Sequence, residues 1–330
     1  MSDQETAVVD GQEPTANLIP SPRAFRPMPQ WLQTILRVFR EPKAIVGFSI
    51  LGLFVLVAIF APLLATHNPM QEGALPPLQP PSTQYLFGTT GYGDDVFSQW
   101  VYATRTSLSI GFQVAVIATA LSVIFGVYSG FKGGTVDRVI SWITQVMLVL
   151  PGYPLIIMIS SYLPNAGSQA IVWVLGLTSW PAAARMKRAQ AMTYRSRDFL
   201  LAAKLGGFSD FRNMFAEVFP NMVSLVFNTF ISMISWGIFG EAFLRFLGIG
   251  STRVPSWGNM LNQSQNGNAL MQGAWWWFIP PGLSITLVML ALTLINYGID
   301  EVSNPRLQKP IKLPKELRSR LQAEANKEGV

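Results

Sequence analysis

The 330-residue chain has no cysteine and a single histidine, His67. Disulfides and thiolate metal sites are excluded, and one imidazole cannot build a metal centre alone. His67 reads as a polar loop residue beside Pro69, and no metal is expected. Charge is scarce: Asp, Glu, Lys and Arg make up 13% of the chain, against about a quarter in a soluble domain. None of the lysines follows a glycine, so the G-x-x-x-x-G-K-[ST] phosphate loop is absent. The G-x-S-x-G and H-E-x-x-H catalytic patterns are absent too. No enzymatic activity is expected of the chain itself. Its apolar stretches carry no ionisable residue at their middles. That argues against an ion-coupled carrier and an intramembrane hydrolase, which use intramembrane acids or bases. Nor is a secretory signal peptide apparent, because the first apolar stretch follows a polar tail of more than forty residues, too long for a basic n-region. That stretch is expected to remain as an anchor.

What the chain has in quantity is hydrophobic residues, half of the total, gathered into runs long enough for a bilayer, which takes about 20 helical residues. The expected fold class is all-α: a polytopic membrane protein with six transmembrane helices in a domain spanning 44–300. Residues 1–43 form a tail, expected to be disordered up to Pro29. Trp31 to Arg40 reads either as a short helix on the membrane surface or as a plain linker. Ala44 to Ala65 is the first span. Thr106 to Phe131 is the second, with Ala118, Ser122, Gly126 and Gly130 forming a small-residue stripe that lets helices approach closely. Val139 to Leu163 is the third, broken by Pro151 and Pro154. Ala166 to Ala184 is the fourth. The fifth begins at Met222, with Glu241 and Arg245 at its end placed to pair as i,i+4 neighbours. Pro280-Pro281 open the sixth, and 301–330 is a basic tail. Two long loops lie at about 66–105 and 249–273. In the first, Asp94 and Asp95 fail the EF-hand spacing and read as a solvated turn. Trp275, Trp276 and Trp277 stand where an interfacial belt places aromatics and read as anchors.

Net charge is +6, and its distribution matters more than its size. Twenty-one of the twenty-four Lys and Arg residues fall in the two tails and the second-to-third and fourth-to-fifth connections. The opposite face keeps only Arg105, Arg245 and Arg253. By the positive-inside rule both termini and the fourth-to-fifth connection are cytoplasmic. The basic balance reflects this topology, and no nucleic-acid partner is expected.

That connection, 197–221, reads RDFLLAAKLGGFSDFRNMFAEVFPN. Ser196 suits a helix cap, with Asp198 in the first turn where the helix dipole favours an acid. Gly206 and Gly207 stop the helix. Ser209 caps a second one, along which Phe211, Met214, Phe215, Val218 and Phe219 form one apolar stripe, closed by Pro220. The pattern is helix, glycine hinge, helix. It suits either an amphipathic loop folded on its own membrane domain or a surface another protein approaches at Ala202 and Ala203.

The segment resembles the EAA loop of ABC-importer membrane subunits, where two alanines precede a glycine and the loop ends in proline after an apolar pair. Ala202, Ala203, Gly207 and Val218-Phe219-Pro220 hold those positions, while Leu201 stands where the family has a glutamate. Further along the chain the resemblance is to the C-type subunit of oligopeptide/dipeptide permeases, over roughly 44–306. It rests on Phe87-Gly88-Thr89, Asp95-Val96-Phe97-Ser98, Arg105-Thr106-Ser107-Leu108, Gly133-Gly134 with Asp137, Trp180-Pro181 with Ala184-Arg185, Glu241-Ala242 with Phe246-Leu247-Gly248, and Pro255-Ser256-Trp257-Gly258. The resemblance implies a type I importer permease fold. The implied partners are a homologous B-type permease, two cytoplasmic ATPases that hold Mg-ATP, an extracytoplasmic solute-binding protein and the lipid bilayer, with no cofactor on this chain. It implies that Ala202, Ala203 and Gly207, with Phe199, Lys204 and Pro220, couple to the ATPases. Gln113, Thr144, Gln145, Asn228, Ser232 and Asn296 either line the translocation path or hold helices together. The family implies peptide uptake. Asp94 and Gln99, standing where arginines are usual, and the tryptophan triplet suit oligosaccharide as the alternative. A non-transporting membrane scaffold is the rival of another class; it accounts for the spans but not for the ordered motifs.

Overall fold

The structure, a computed structural model, describes residues 36–71, 73–150, 152–162, 167–251 and 254–303. Most of the expected tails, over 1–35 and 304–330, lies outside them, as do Pro151 and the first half of the expected surface helix. Every element of three residues or more among the described residues is helical. The elements are α1 (Pro42–Ile59), α2 (Ala61–Leu64), α3 (Val96–Lys132), α4 (Gly134–Val149), α5 (Gly152–Ser161), α6 (Gly167–Arg195), α7 (Asp198–Leu205), α8 (Asp210–Asn213), a π-helical turn (Met214–Val218), α9 (Phe219–Phe246), α10 (Trp257–Asn266) and α11 (Trp275–Ser303).

Among the described residues, four helical stretches are long and apolar enough to cross a membrane: α1, α3, the continuous Asp210–Phe246 stretch and α11 up to Val302. A fifth arises if α4 and α5, bent by 85° at the expected proline break, count as one. The fourth expected span lies in α6, where Gln169, Thr178, Ser179 and Pro181 dilute the apolar residues.

The helix α3 is the axis of the molecule. At 1.5 Å per residue its 37 residues reach about 55 Å, well beyond a hydrocarbon core of about 30 Å. It starts ten residues before the expected span, so the first loop ends at Asp95. The Asp95 carboxylate accepts from Ser98 N at 3.2 Å and caps the start. One side of α3 packs along α6 and another along α9, while α1 lies on α11. The expected small-residue stripe makes the α3–α6 contact. A Cβ on Gly126 would stand 2.5 Å from Ala184 O, and one on Gly130 would stand 2.5 Å from Arg188 O. Only glycine admits a carbonyl that close.

Tertiary contacts correct several local expectations. Asp94 and Asp95 are buried, not solvated. Asp94 accepts from Gly73 N, Thr90 Oγ1 and Gln99 Nε2, and Asp95 accepts from Thr66 Oγ1 and Ser98 Oγ. They tie the first loop to the head of α3. His67 sits beside Asp95 at 3.4 Å. Of the three tryptophans only Trp275 is exposed; Trp277 is fully buried, edge-on to Tyr92, and Trp276 Nε1 donates to Thr89 O at 3.1 Å. Packing on this loop extends α11 upstream through the tryptophans, so Pro280 and Pro281 lie inside the helix rather than opening it. The second long loop contains α10, capped by Ser256.

Candidate functional site

The charged segment between α6 and α9 folds as helix, glycine turn, helix. Asp198 stands in the first turn of α7. The Ser196 hydroxyl donates back to Thr193 O at 3.1 Å. Gly207 ends α7 at φ +77°, and Phe208 N donates to Ala203 O at 3.2 Å. This is the six-to-one hydrogen bond of a Schellman end, for which a left-handed residue is needed. Ser209 then accepts from Arg212 N. Pro220 does not close the second helix. The chain runs without a break from Asp210 to Phe246, and Pro220 occupies the first turn of α9, where a missing N–H is tolerated. The π turn immediately before it takes up the misfit.

That turn also splits the expected apolar stripe. Val218 is buried, Met214 is half-buried, and Phe211 and Phe215 are exposed. The inner anchor is instead Leu200, which the sequence reading passed over. It is fully buried among Val127, Phe131, Ala191, Val218 and Met222, side chains of α3, α6, the π turn and α9. Leu205 and Phe211 face outward at 91% and 72% exposure. A loop anchored in the helix core through Leu200 and Val218 and presenting apolar tips outward can pass a push from a docked protein into α3, α6 and α9. Ala203 is half-buried; the side chains of Phe199, Ala202 and Lys204 lie outside the described part.

The six polar residues singled out in the spans fall at three places. Gln113 bonds Ser109 on its own helix and Gln169 on α6, beside a hollow lined by Phe112, Val116, Val172 and Trp173. Thr144 and Gln145 line a cleft between α3, α4 and α6. Asn228, Ser232 and Asn296 bridge α9 and α11. Asn228 Nδ2 donates to Asp300 at 2.9 Å and Asn296 Nδ2 to Ser232 Oγ at 3.0 Å. The structure does not gather all six around one channel within this chain.

Two further features stand out. Glu241 and Arg245 pair at 3.3 Å with both side chains fully buried. Ser107 donates to Glu241 at 3.1 Å; Arg245 donates to Ser168 at 2.7 Å and to Ser251 O. The i,i+4 spacing announced the pair, but not its seclusion or its partners on α3 and α6. Lys187, within α6, counts by sequence among the cytoplasmic charges. It is fully buried, and among the described residues its Nζ has no hydrogen-bond partner. A buried polar group left unpaired costs about 1–3 kcal/mol or more. Lys187→Met is therefore expected to stabilise the detergent-solubilised chain by about 1–3 kcal/mol, read as a rise in melting temperature. An unchanged or lower value would refute the seclusion of this side chain.

Comparison with known proteins adds an independent line. Residues 122–309 match the model of the binding-protein-dependent transport system inner membrane component, and residues 29–81 that of the N-terminal transmembrane domain of oligopeptide transport permease C. The chain is 30% identical over 296 residues, 89% of its length and 96% of the relative's, to the dipeptide transport system permease protein DppC of Alkalihalophilus pseudofirmus. It is 31% identical over 280 residues, 84% and 90% respectively, to the oligopeptide transport system permease protein OppC of Bacillus subtilis. A putative peptide transport system permease protein of Brucella suis is 32% identical over 279 residues, 83% of this chain and 92% of that one.

Proposed function

The chain belongs to the family of binding-protein-dependent transport system inner membrane components, and from that premise we propose that it is the C-type membrane subunit of an ABC importer of dipeptides and oligopeptides. The observation that carries the substrate is the identity of 30% or more, over most of the chain, to proteins named for peptide transport. The chain forms half of the translocation pathway beside a homologous B-type permease. A solute-binding protein delivers the peptide, and two ATPases, which hold the Mg-ATP, drive the cycle. This chain holds no cofactor of its own.

In this reading the molecule crosses the cytoplasmic membrane six times, with α4–α5 as one bent span and the first half of α6 as another. Both termini and the Arg197–Asn221 segment are cytoplasmic. The charge distribution supports this orientation. Leu205 and Phe211 then point toward the ATPases, and Leu200 relays their motion to the helices. The structure also weakens the two features that suit a sugar. Asp94 and Gln99 bond each other at 3.2 Å, buried between the first loop and the head of α3, and two of the three tryptophans pack inward. Asp94 and Gln99 offer no surface to a ligand, and of the tryptophans only Trp275 is exposed.

Calorimetry of the cognate binding protein against peptide and oligosaccharide panels tests the substrate. Peptide binding is expected; oligosaccharide binding with no detectable peptide binding would promote the alternative. Topology is tested separately with single cysteines in the cysteine-free chain. Leu205→Cys is expected to resist an impermeant thiol reagent applied to intact cells, and Asn266→Cys, on an exposed stretch of α10, to react. Labelling of Leu205→Cys from outside would sink the orientation.

A further inference from the structure

We propose that the cleft between α3, α4 and α6 binds an anionic phospholipid with a hydroxylated headgroup, of the phosphatidylglycerol class. The cleft encloses about 120 Å³ and is lined by Ser129, Ser141, Thr144, Gln145, Arg185 and Arg188 among others. Its hydrogen-bonding character is lopsided. Ser129 Oγ donates to Gly126 O at 3.1 Å, Thr144 Oγ1 to Ile140 O at 2.8 Å, and Ser141 Oγ to Asp137 at 3.3 Å. With those protons committed, the three hydroxyls offer lone pairs to an occupant. Donors come from the exposed Arg185 guanidinium and the exposed Gln145 amide. Arg188 is held by Asp137 in a two-point ion pair at 2.5 and 2.7 Å. That pair neutralises Asp137 and leaves Arg185, which makes no ion pair among the described residues, as the charge the cleft presents. The matching ligand therefore carries one anionic group for Arg185 and hydroxyl donors for the serine and threonine oxygens, as a glycerol phosphodiester does. A phosphate alone would leave the lone pairs unanswered.

Placement selects a lipid over a soluble polyol phosphate. Ser129 lies one turn from the end of α3, and Thr144 about 15 Å along α4 from its start, so the cleft runs from the helix ends toward the span interior. Ile124 and Tyr128 on α3, and Trp142 and Ile143 on α4, are exposed apolar side chains next to the lining residues, a flank suited to acyl chains. Basic pockets between spans at a membrane surface suit anionic headgroups. The inference needs only that this corner lies at a membrane surface, on either side, and does not depend on what is transported.

The test is native mass spectrometry of the intact transporter complex after mild delipidation, with identification of the retained lipid. About one phosphatidylglycerol per chain is expected, falling at least fivefold in Arg185→Gln and in Thr144→Val. Arg138→Gln, at the same corner but outside the cleft, is expected to retain it. Wild-type retention in Arg185→Gln overturns the proposal. So does an equal loss in Arg138→Gln, which would mean general surface charge, and so does an intact complex that keeps no lipid because a partner subunit fills the cleft. Free glycerol phosphate is the second probe: its saturable binding in the absence of retained lipid overturns the lipid assignment.

Discussion

Glu241→Ala is expected to lower the stability of the chain by about 3–5 kcal/mol, the cost of removing one member of a buried ion pair. The reason is what stays behind. Arg245 is fully enclosed, and its two bonds to Ser168 and Ser251 O leave its charge without a counterion. Ser107, which also accepts from Trp257 N at 3.2 Å, loses its acceptor on α9. The pair therefore joins α3, the end of α9, the start of α6 and the head of α10. The expected readout is a collapse of the monodisperse peak and a large fall in melting temperature in detergent. The double variant Glu241→Leu/Arg245→Met is expected to recover much of the loss, because well-packed apolar replacements of a buried pair are often neutral or stabilising. A Glu241→Ala variant that melts with the wild type would show that the pair does not hold these segments together.

Gly207→Val is expected to abolish transport while leaving insertion and assembly intact. Gly207 holds φ +77°, and a Cβ there would meet nothing within 4 Å among the described residues, so the cause is not a collision with them. The effect is conformational. A left-handed backbone costs a residue with a Cβ roughly 1–2 kcal/mol, and a β-branched one resists it most. Relief of that strain unwinds the Schellman end of α7 and swings Leu205 away from its place. Asn tolerates the left-handed region, so Gly207→Asn is expected to keep most of the activity, which separates strain from mere loss of glycine. Ala203→Arg is expected to act at the same step by blocking close approach. The measurement is peptide uptake beside substrate-stimulated ATPase activity in the reconstituted complex. Uptake is expected to fall more than tenfold, with ATP turnover no longer responding to the binding protein. If both persist in Gly207→Val and Ala203→Arg, the segment is not the coupling element.

The success and failure of the sequence reading at this loop have the same origin. Gly207 and Ser209 act through hydrogen bonds to neighbours a few positions away, so a linear reading finds them. The apolar stripe from Phe211 to Phe219 holds at 3.6 residues per turn, and the π turn at Met214–Val218 breaks that count. Leu200 looked like any leucine of a short amphipathic helix. Its burial depends on Val127, Ala191 and Met222, each on a different helix.

From composition and pattern alone came the all-helical class, the apolar runs, the glycine stripe on α3, the bend before α5 and the pairing of Glu241 with Arg245. These are properties of helical period, proline geometry and i,i+4 spacing, all local in the chain. The sidedness of charge is legible in the same way, because it follows from counting loops rather than from packing. Tertiary structure alone decided which polar residues are enclosed. Asp94, Asp95 and Lys187 sit in sequence contexts that read as surface, yet all three are buried. Burial is set by what crosses overhead: the 66–95 loop folded onto the head of α3, and α6 pressed so close to Gly126 that the Lys187 stem lies against it. A charge is placed by its distant neighbours, and those neighbours are not adjacent in the chain.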